Sequence, residues 1–152
     1  MDGRVIAPTL TPSVPYDDLG DAIRWLTQAL GFRAAAVYDG PDGAPVFAQL
    51  VWRTGVVFVH ARAPGDNPWA AVGPASIALV AEDAEAVDRQ YRRAVAARAE
   101  ILRPPHDATT PAFPEGSRQF DVRDPAGNLW TVGTFQPRFE RMESGRAGEE
   151  AR

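Results

Sequence analysis

The sequence predicts an α+β fold made of two βαβββ modules, and three observations carry that prediction. The order strand, helix, three strands occurs once before residue 62 and again after residue 74. The aspartates that open the two helices, Asp18 and Asp83, stand 65 positions apart (83 − 18), and two turn glycines, Gly55 and Gly127, stand 72 apart (127 − 55). The extra positions fall where the second half has its longer loop. Finally, SRQFDVRDPAGNLWTVGTFQ (117–136) reads as strand, tight turn, strand. Repeats of this length imply two like units that bury one core together.

Taken in order, residues 4–16 (RVIAPTLTPSVPY) are an extended segment interrupted by three prolines. Proline cannot donate to a ladder, so this strand should sit at a sheet edge or carry a break. Asp18 then precedes LGDAIRWLTQAL, where Ala22, Ile23, Leu26, Ala29 and Leu30 recur at helical spacing and Gly31 suits the C-terminal cap. Phe32 to Tyr38 is a strand and Asp39 to Gly43 a turn, followed by strands over Val46–Trp52 and Val56–Ala61 around Arg53-Thr54-Gly55. Residues 62–74 form a linker rich in Pro, Gly, Asp and Asn. Ala75–Ala81 is a strand, Asp83 opens the second helix, and Glu100–Leu102 is a short strand before a Pro-rich loop over Arg103–Gly116. In the closing hairpin Phe120 and Val122 alternate with Gln119, Asp121 and Arg123. The turn Asp124-Pro125-Ala126-Gly127-Asn128 supplies a capping carboxylate, a fixed φ and a residue free to take positive φ.

Composition narrows the chemistry. At 152 residues, with 45% hydrophobic and 24% charged residues, the chain has the make-up of a single globular domain. A net charge of −4 and no basic stripe give no case for nucleic acid. No apolar run approaches the ~20 residues of a membrane span, and the N-terminus lacks a signal peptide's apolar region. The absence of cysteine excludes disulfides, thiolate nucleophiles and thiolate ligands, and fits a cytoplasmic location. All 16 basic residues are arginine, so Schiff-base chemistry and a lysine base are excluded too. No Ser-His-Asp set, phosphate-binding glycine loop or paired carboxylates at useful spacing is visible.

The stretches TPSVPYDDLGDAIRWLTQALGF (11–32) and GSRQFDVRDPAGNLW (116–130) resemble the vicinal oxygen chelate superfamily, which holds glyoxalases, bleomycin-resistance proteins and extradiol dioxygenases. The resemblance covers roughly residues 5–136. It implies a single domain over residues 1–136, with module 1 at about 4–61, a linker at 62–74, module 2 at about 75–136, and a flexible charged tail over 137–152. It also implies that the mixed sheets curl around a cavity with the helices outside, and that the chain forms a homodimer.

In metal-dependent relatives a ligand lies seven residues before each helix-start aspartate and four after each turn glycine. Those positions here are Thr11, Ser76, Val59 and Thr131. Hydroxyls and a valine are not a donor set for iron, zinc, nickel or manganese. The expectation is therefore a metal-free, cofactor-free protein, leaning away from enzyme, that binds and sequesters a small molecule such as a drug or natural product. The predicted ligand-binding set is Thr11, Ser13, Val59, Ser76, Leu129 and Thr131, joined by Arg118 for an anionic group and by Trp52 and Trp69 for stacking. No catalytic residue is assigned. Trp130 is expected to face a helix, and Trp25 to pack partly against the sheet. His60 neighbours the expected ligand position and so should point the other way, into a structural or surface role. The alternative is a glyoxalase- or dioxygenase-like metalloenzyme with displaced ligands, for instance His60, or His106 with Asp107 and Glu115. Metal-independent acid/base chemistry in the same cavity ranks third.

Overall fold

The computed structural model describes residues 9–62, 73–110 and 113–135. Each module places a helix on one face of a four-stranded sheet. Module 1 comprises β1 (Ser13–Tyr16), α1 (Leu19–Leu30), β2 (Arg33–Asp39), β3 (Pro45–Trp52) and β4 (Gly55–Ala61). Module 2 comprises β5 (Ser76–Val80), α2 (Ala84–Ala96), β6 (Glu100–Thr110), β7 (Phe113–Arg123) and β8 (Leu129–Gly133). The sheets have the orders β1-β4-β3-β2 and β5-β8-β7-β6. In both, the first strand runs parallel to the last and the other pairs are antiparallel. This is the expected α+β pair of βαβββ modules, with no closed barrel among the described residues. The charged tail over 137–152, most of the linker and the first part of the extended segment predicted over 4–16 lie outside the described residues.

Local chemistry fixes the ends of the helices. The Asp18 carboxylate accepts from the Asp21 backbone N–H at 2.9 Å, and that of Asp83 from Ala86 N–H at 2.8 Å, so each aspartate satisfies an otherwise unpaired backbone amide N–H of the first turn. Gly31 ends α1 at φ +79°. A Cβ there would also lie 3.2 Å from the Arg93 guanidinium, which reaches across from α2 to donate to the Gln28 carbonyl. One glycine thus serves both the cap and the helix–helix contact.

The core lies between the helices and one face of each sheet. From α1 it takes Leu19, Ala22, Leu26 and Leu30; from sheet 1, Val14, Tyr16, Ala48, Leu50, Val57 and Val59; from sheet 2, Phe120, Val122, Trp130 and Val132. Burying side chains of this size is worth about 1.5–3 kcal/mol each. As expected, Trp130 is fully buried, and it meets Phe32 of module 1 edge to face at 5.6 Å. Trp25 is half-buried against the same core.

One expectation fails. The Pro-rich segment predicted as a loop over Arg103–Gly116 is mostly strand, and β6 and β7 form a long hairpin. Pro104 and Pro105 are accommodated because β6 is the outer strand of its sheet and needs partners on one side only. Its register also shifts between Ile101 and Arg103 and again between Arg103 and His106, which absorbs the missing N–H groups.

Candidate functional site

With the helices covering one face of each sheet, ligand chemistry falls to the opposite, open face and to the junction of the modules. Along a strand, successive side chains alternate between faces, so the buried residues identify both. On β4, Val57 and Val59 are in the core, which turns Val56, Phe58 and His60 to the open face. On β8, Trp130 and Val132 are in the core, which turns Leu129 and Thr131 to the open face.

This alternation corrects two of the predicted site residues. Val59 is fully buried in the core and does not face the open side, whereas His60 does. The physical cause is a one-residue difference between the two turns. Matched by strand pairing, Phe58 opposite Ser13 follows Gly55 by three positions (58 − 55), while Thr131 opposite Ala78 follows Gly127 by four (131 − 127). Counting four from each glycine therefore reaches opposite faces, because a slip of one residue exchanges the faces of a strand. The strand pairing supplies the sounder match. Ser13 and Ala78 each stand five residues before a helix-capping aspartate, and they pair with Phe58 and Thr131. Phe58, not Val59, is the counterpart of Thr131. Arg118 is the second correction. It shares a face with Phe120 and Val122, which is the helix side, and its Nε donates to Asp88 of α2 at 2.8 Å with Asp107 at 3.5 Å. Its guanidinium is held by carboxylates instead of facing the open side.

The remaining predicted residues are dispersed. Ser13 is exposed at the start of β1 and its hydroxyl lies 3.1 Å from His60 Nδ1. Thr11 is half-buried just before β1, and Ser76 is exposed opposite Leu129. The Thr131 hydroxyl donates to Asp121 at 2.7 Å on the open face of sheet 2. Trp52 is largely buried, its indole N–H donating to the Leu30 carbonyl at 2.8 Å. One edge of Trp52 also borders a cleft of about 440 Å³ at the module junction, walled by Phe32, Trp130, Ile77 and Leu79, with Arg53 at its side. Trp69 lies outside the described residues.

Sequence reasoning missed the most distinctive surface of sheet 1. Tyr38, Phe47 and Phe58 stand side by side on its open face, from β2, β3 and β4. Ring centroids are 5.8 Å apart for Tyr38–Phe47 and 5.3 Å for Phe47–Phe58, with tilted planes. Tyr38 is 52% exposed, so the row is open to solvent at one end. The signal was weak because PVFAQLVW is apolar on both faces, and period-2 alternation then assigns neither face.

A buried polar cluster ties the modules together. Asp124, 2% exposed, accepts from the Tyr16 hydroxyl at 2.7 Å, from Asn128 Nδ2 at 2.9 Å and from Trp130 Nε1 at 3.0 Å. Its other oxygen accepts the Ala126 and Asn128 backbone N–H groups. The turn aspartate is thus a fully satisfied acceptor joining β1 of one module to the hairpin of the other. Burial, then the adjacent carboxylate, pushes the Tyr16 hydroxyl far above the ordinary tyrosine range.

With the register corrected, the four positions where metal-dependent relatives would carry ligands hold Thr11, Phe58, Ser76 and Thr131, and these do not fit a divalent metal. Among the described residues no group of three or more His, Asp or Glu side chains is placed to hold one. The displaced set fails on geometry as well. His106 and Asp107 are consecutive on β6 and face opposite sides, Asp107 towards Arg118, and the side chain of Glu115 lies outside the described residues.

Two helix-backed βαβββ modules with an aromatic open face define a fold shared by binding proteins and enzymes. Residues 7–132 match the model of the Glyoxalase/Bleomycin resistance protein/Dioxygenase superfamily, and the chain belongs to that superfamily. Among solved structures it is similar to TioX from Micromonospora sp. ML1, with 27% identity over 84% of this chain and 98% of that one, at a TM-score of 0.68. It shares the fold of a lactoylglutathione lyase from Agrobacterium tumefaciens (23% identity, 86% and 95% covered, TM-score 0.61) and of UcmS2 (14%, 85% and 98%, 0.60). Comparison with curated proteins gives no match.

Proposed function

We propose that this protein is a small-molecule-binding member of the glyoxalase/bleomycin-resistance type that holds a flat, largely apolar ligand without a metal. The observation that carries this reading is the Tyr38–Phe47–Phe58 row on the open face of sheet 1. Adjacent rings with centroids near 5.5 Å offer a continuous π surface, and such contacts are worth about 0.5–1.5 kcal/mol each beyond area burial. The Ser13–His60 pair at the edge of the row supplies polar groups to orient the ligand. Binding needs no acid, base or metal, which agrees with the side chains found at the ligand positions. Sequestration of a drug or natural product is the role that follows, in the cytoplasm. No helix among the described residues is long and apolar enough to cross a membrane.

A second copy of the chain completes this picture. Tyr38 remains half exposed at the end of the row, and a dimer partner across the open face would cover it and close the site. Light scattering at micromolar concentration tests this, with twice the chain mass expected and the chain mass contrary to it. Calorimetry against a panel of aromatic and glycopeptide natural products tests the binding reading. Saturable binding that Phe47→Ala and Phe58→Ala each weaken about tenfold is expected. Binding unchanged in both variants would refute the assignment of the site.

A further inference from the structure

The open face of sheet 2 carries two buried polar atoms that the fold does not use. His106 on β6 pairs with Gln119 on β7, and Ala108 with Ser117, so His106, Gln119 and Ser117 share one face of adjacent strands. That face is opposite Phe120 and Arg118, both of which turn to α2. His106 Nε2 and Ser117 Oγ are buried there without a hydrogen-bond partner among the described residues, and Ser117 is only 3% exposed.

The chemistry of His106 is fixed by its other nitrogen. Nδ1 lies 2.9 Å from the Pro104 carbonyl oxygen, which can only accept. Nδ1 must therefore carry the proton, and in the neutral ring Nε2 presents a bare lone pair. The strands also pack closely at this spot. Gly133 stands opposite Gln119, and a Cβ on it would come within 3.0 Å of the Gln119 Cβ and 3.4 Å of Ser117 Oγ. Further along the same face, Asp121 accepts from Thr131. The surface is rich in acceptors.

We propose that His106 Nε2 and Ser117 Oγ form a polar subsite that accepts a hydrogen-bond donor, a hydroxyl or amide N–H, from an uncharged ligand. An anion has no proton to offer Nε2 and would meet Asp121, so the subsite selects against carboxylates. Buried polar groups without partners cost about 1–3 kcal/mol each, and they persist where a ligand relieves them. The subsite deepens the small-molecule reading and rests on it.

Naphthol and methoxynaphthalene, which differ in one donor proton, are suitable probes. Naphthol is expected to bind the full-length protein about tenfold more tightly than its ether, a ratio set by one hydrogen bond to a buried acceptor. His106→Ala should abolish the ratio by weakening naphthol alone. Ser117→Ala should weaken naphthol and raise the melting temperature of the free protein by a few degrees, because it removes an unsatisfied hydroxyl. Nitrogen-15 spectra of the histidine ring should show the proton on Nδ1 of His106. Equal affinity for the two probes, or a ratio that survives His106→Ala, would overturn the subsite and leave the binding reading standing. Failure of both probes to bind at millimolar concentration would overturn the two together.

Discussion

Replacing Asp124 with alanine is expected to destabilise the protein by about 4 kcal/mol, a large part of the ~5–15 kcal/mol typical of a domain. The figure follows from the donors left behind. Asp124 accepts five hydrogen bonds, and two of them come from side chains that packing holds in place: the Tyr16 hydroxyl and the Trp130 indole N–H. Each stranded buried donor costs about 1–3 kcal/mol, so these two alone give roughly 2–6 kcal/mol. The Asn128 side chain, which also caps Ala75 N–H through its oxygen, keeps one partner and adds less. Tyr16→Phe removes a donor together with its requirement, so it should cost only about 1.5 kcal/mol. Urea unfolding of the two single variants and the double variant gives the cycle, and a coupling above about 1 kcal/mol is expected for groups in direct contact. A loss under about 1 kcal/mol for Asp124→Ala, or strict additivity with Tyr16→Phe, would refute the view that this aspartate links the modules.

Three further outcomes follow from named contacts. The Tyr16 hydroxyl has its pKa raised by burial and by Asp124, so the folded chain keeps a proton that the unfolded chain releases above pH ~10. Stability is therefore intact below that pH and falls above it, and urea midpoints of Tyr16→Phe should decline less steeply between neutral and strongly alkaline pH than those of the native chain. Arg118→Ala should lower the melting temperature by releasing Asp88 while leaving ligand affinity unchanged, because the guanidinium faces α2; reduced affinity without loss of stability would contradict that orientation. Gly31→Ala should cost about 1–2 kcal/mol in thermal unfolding, since alanine at φ +79° is strained and its Cβ crowds Arg93.

Much of the fold was legible in the sequence because its signals are local. Asp18 and Asp83 before apolar helical repeats, Gly31 after one of them, and the Asp-Pro-Ala-Gly-Asn turn each act through nearby backbone chemistry, and each sits where expected. Beyond Leu102 the β6 strand was not legible, because prolines that forbid a central strand are tolerated at an edge, and edge position is a property of the whole sheet. The site was the least legible part. Which face of β3 or β4 is open depends on where the helix packs, and a register counted from a glycine fails when the matching strand residue stands three positions after it in one module and four in the other. Val59 and Phe58 exchanged places for that reason. The role of Asp124 was half legible: the sequence marks it as a turn former, but its bond to Tyr16 spans 108 positions and arises only in the packed molecule.

The central claim is ligand binding without a metal, and one titration tests it most directly. A planar aromatic probe such as naphthol, added to the purified protein in excess chelator and followed by calorimetry, should give saturable binding equal to that measured without chelator. Loss of binding in chelator, restored by added nickel, zinc, iron or manganese, would contradict the account.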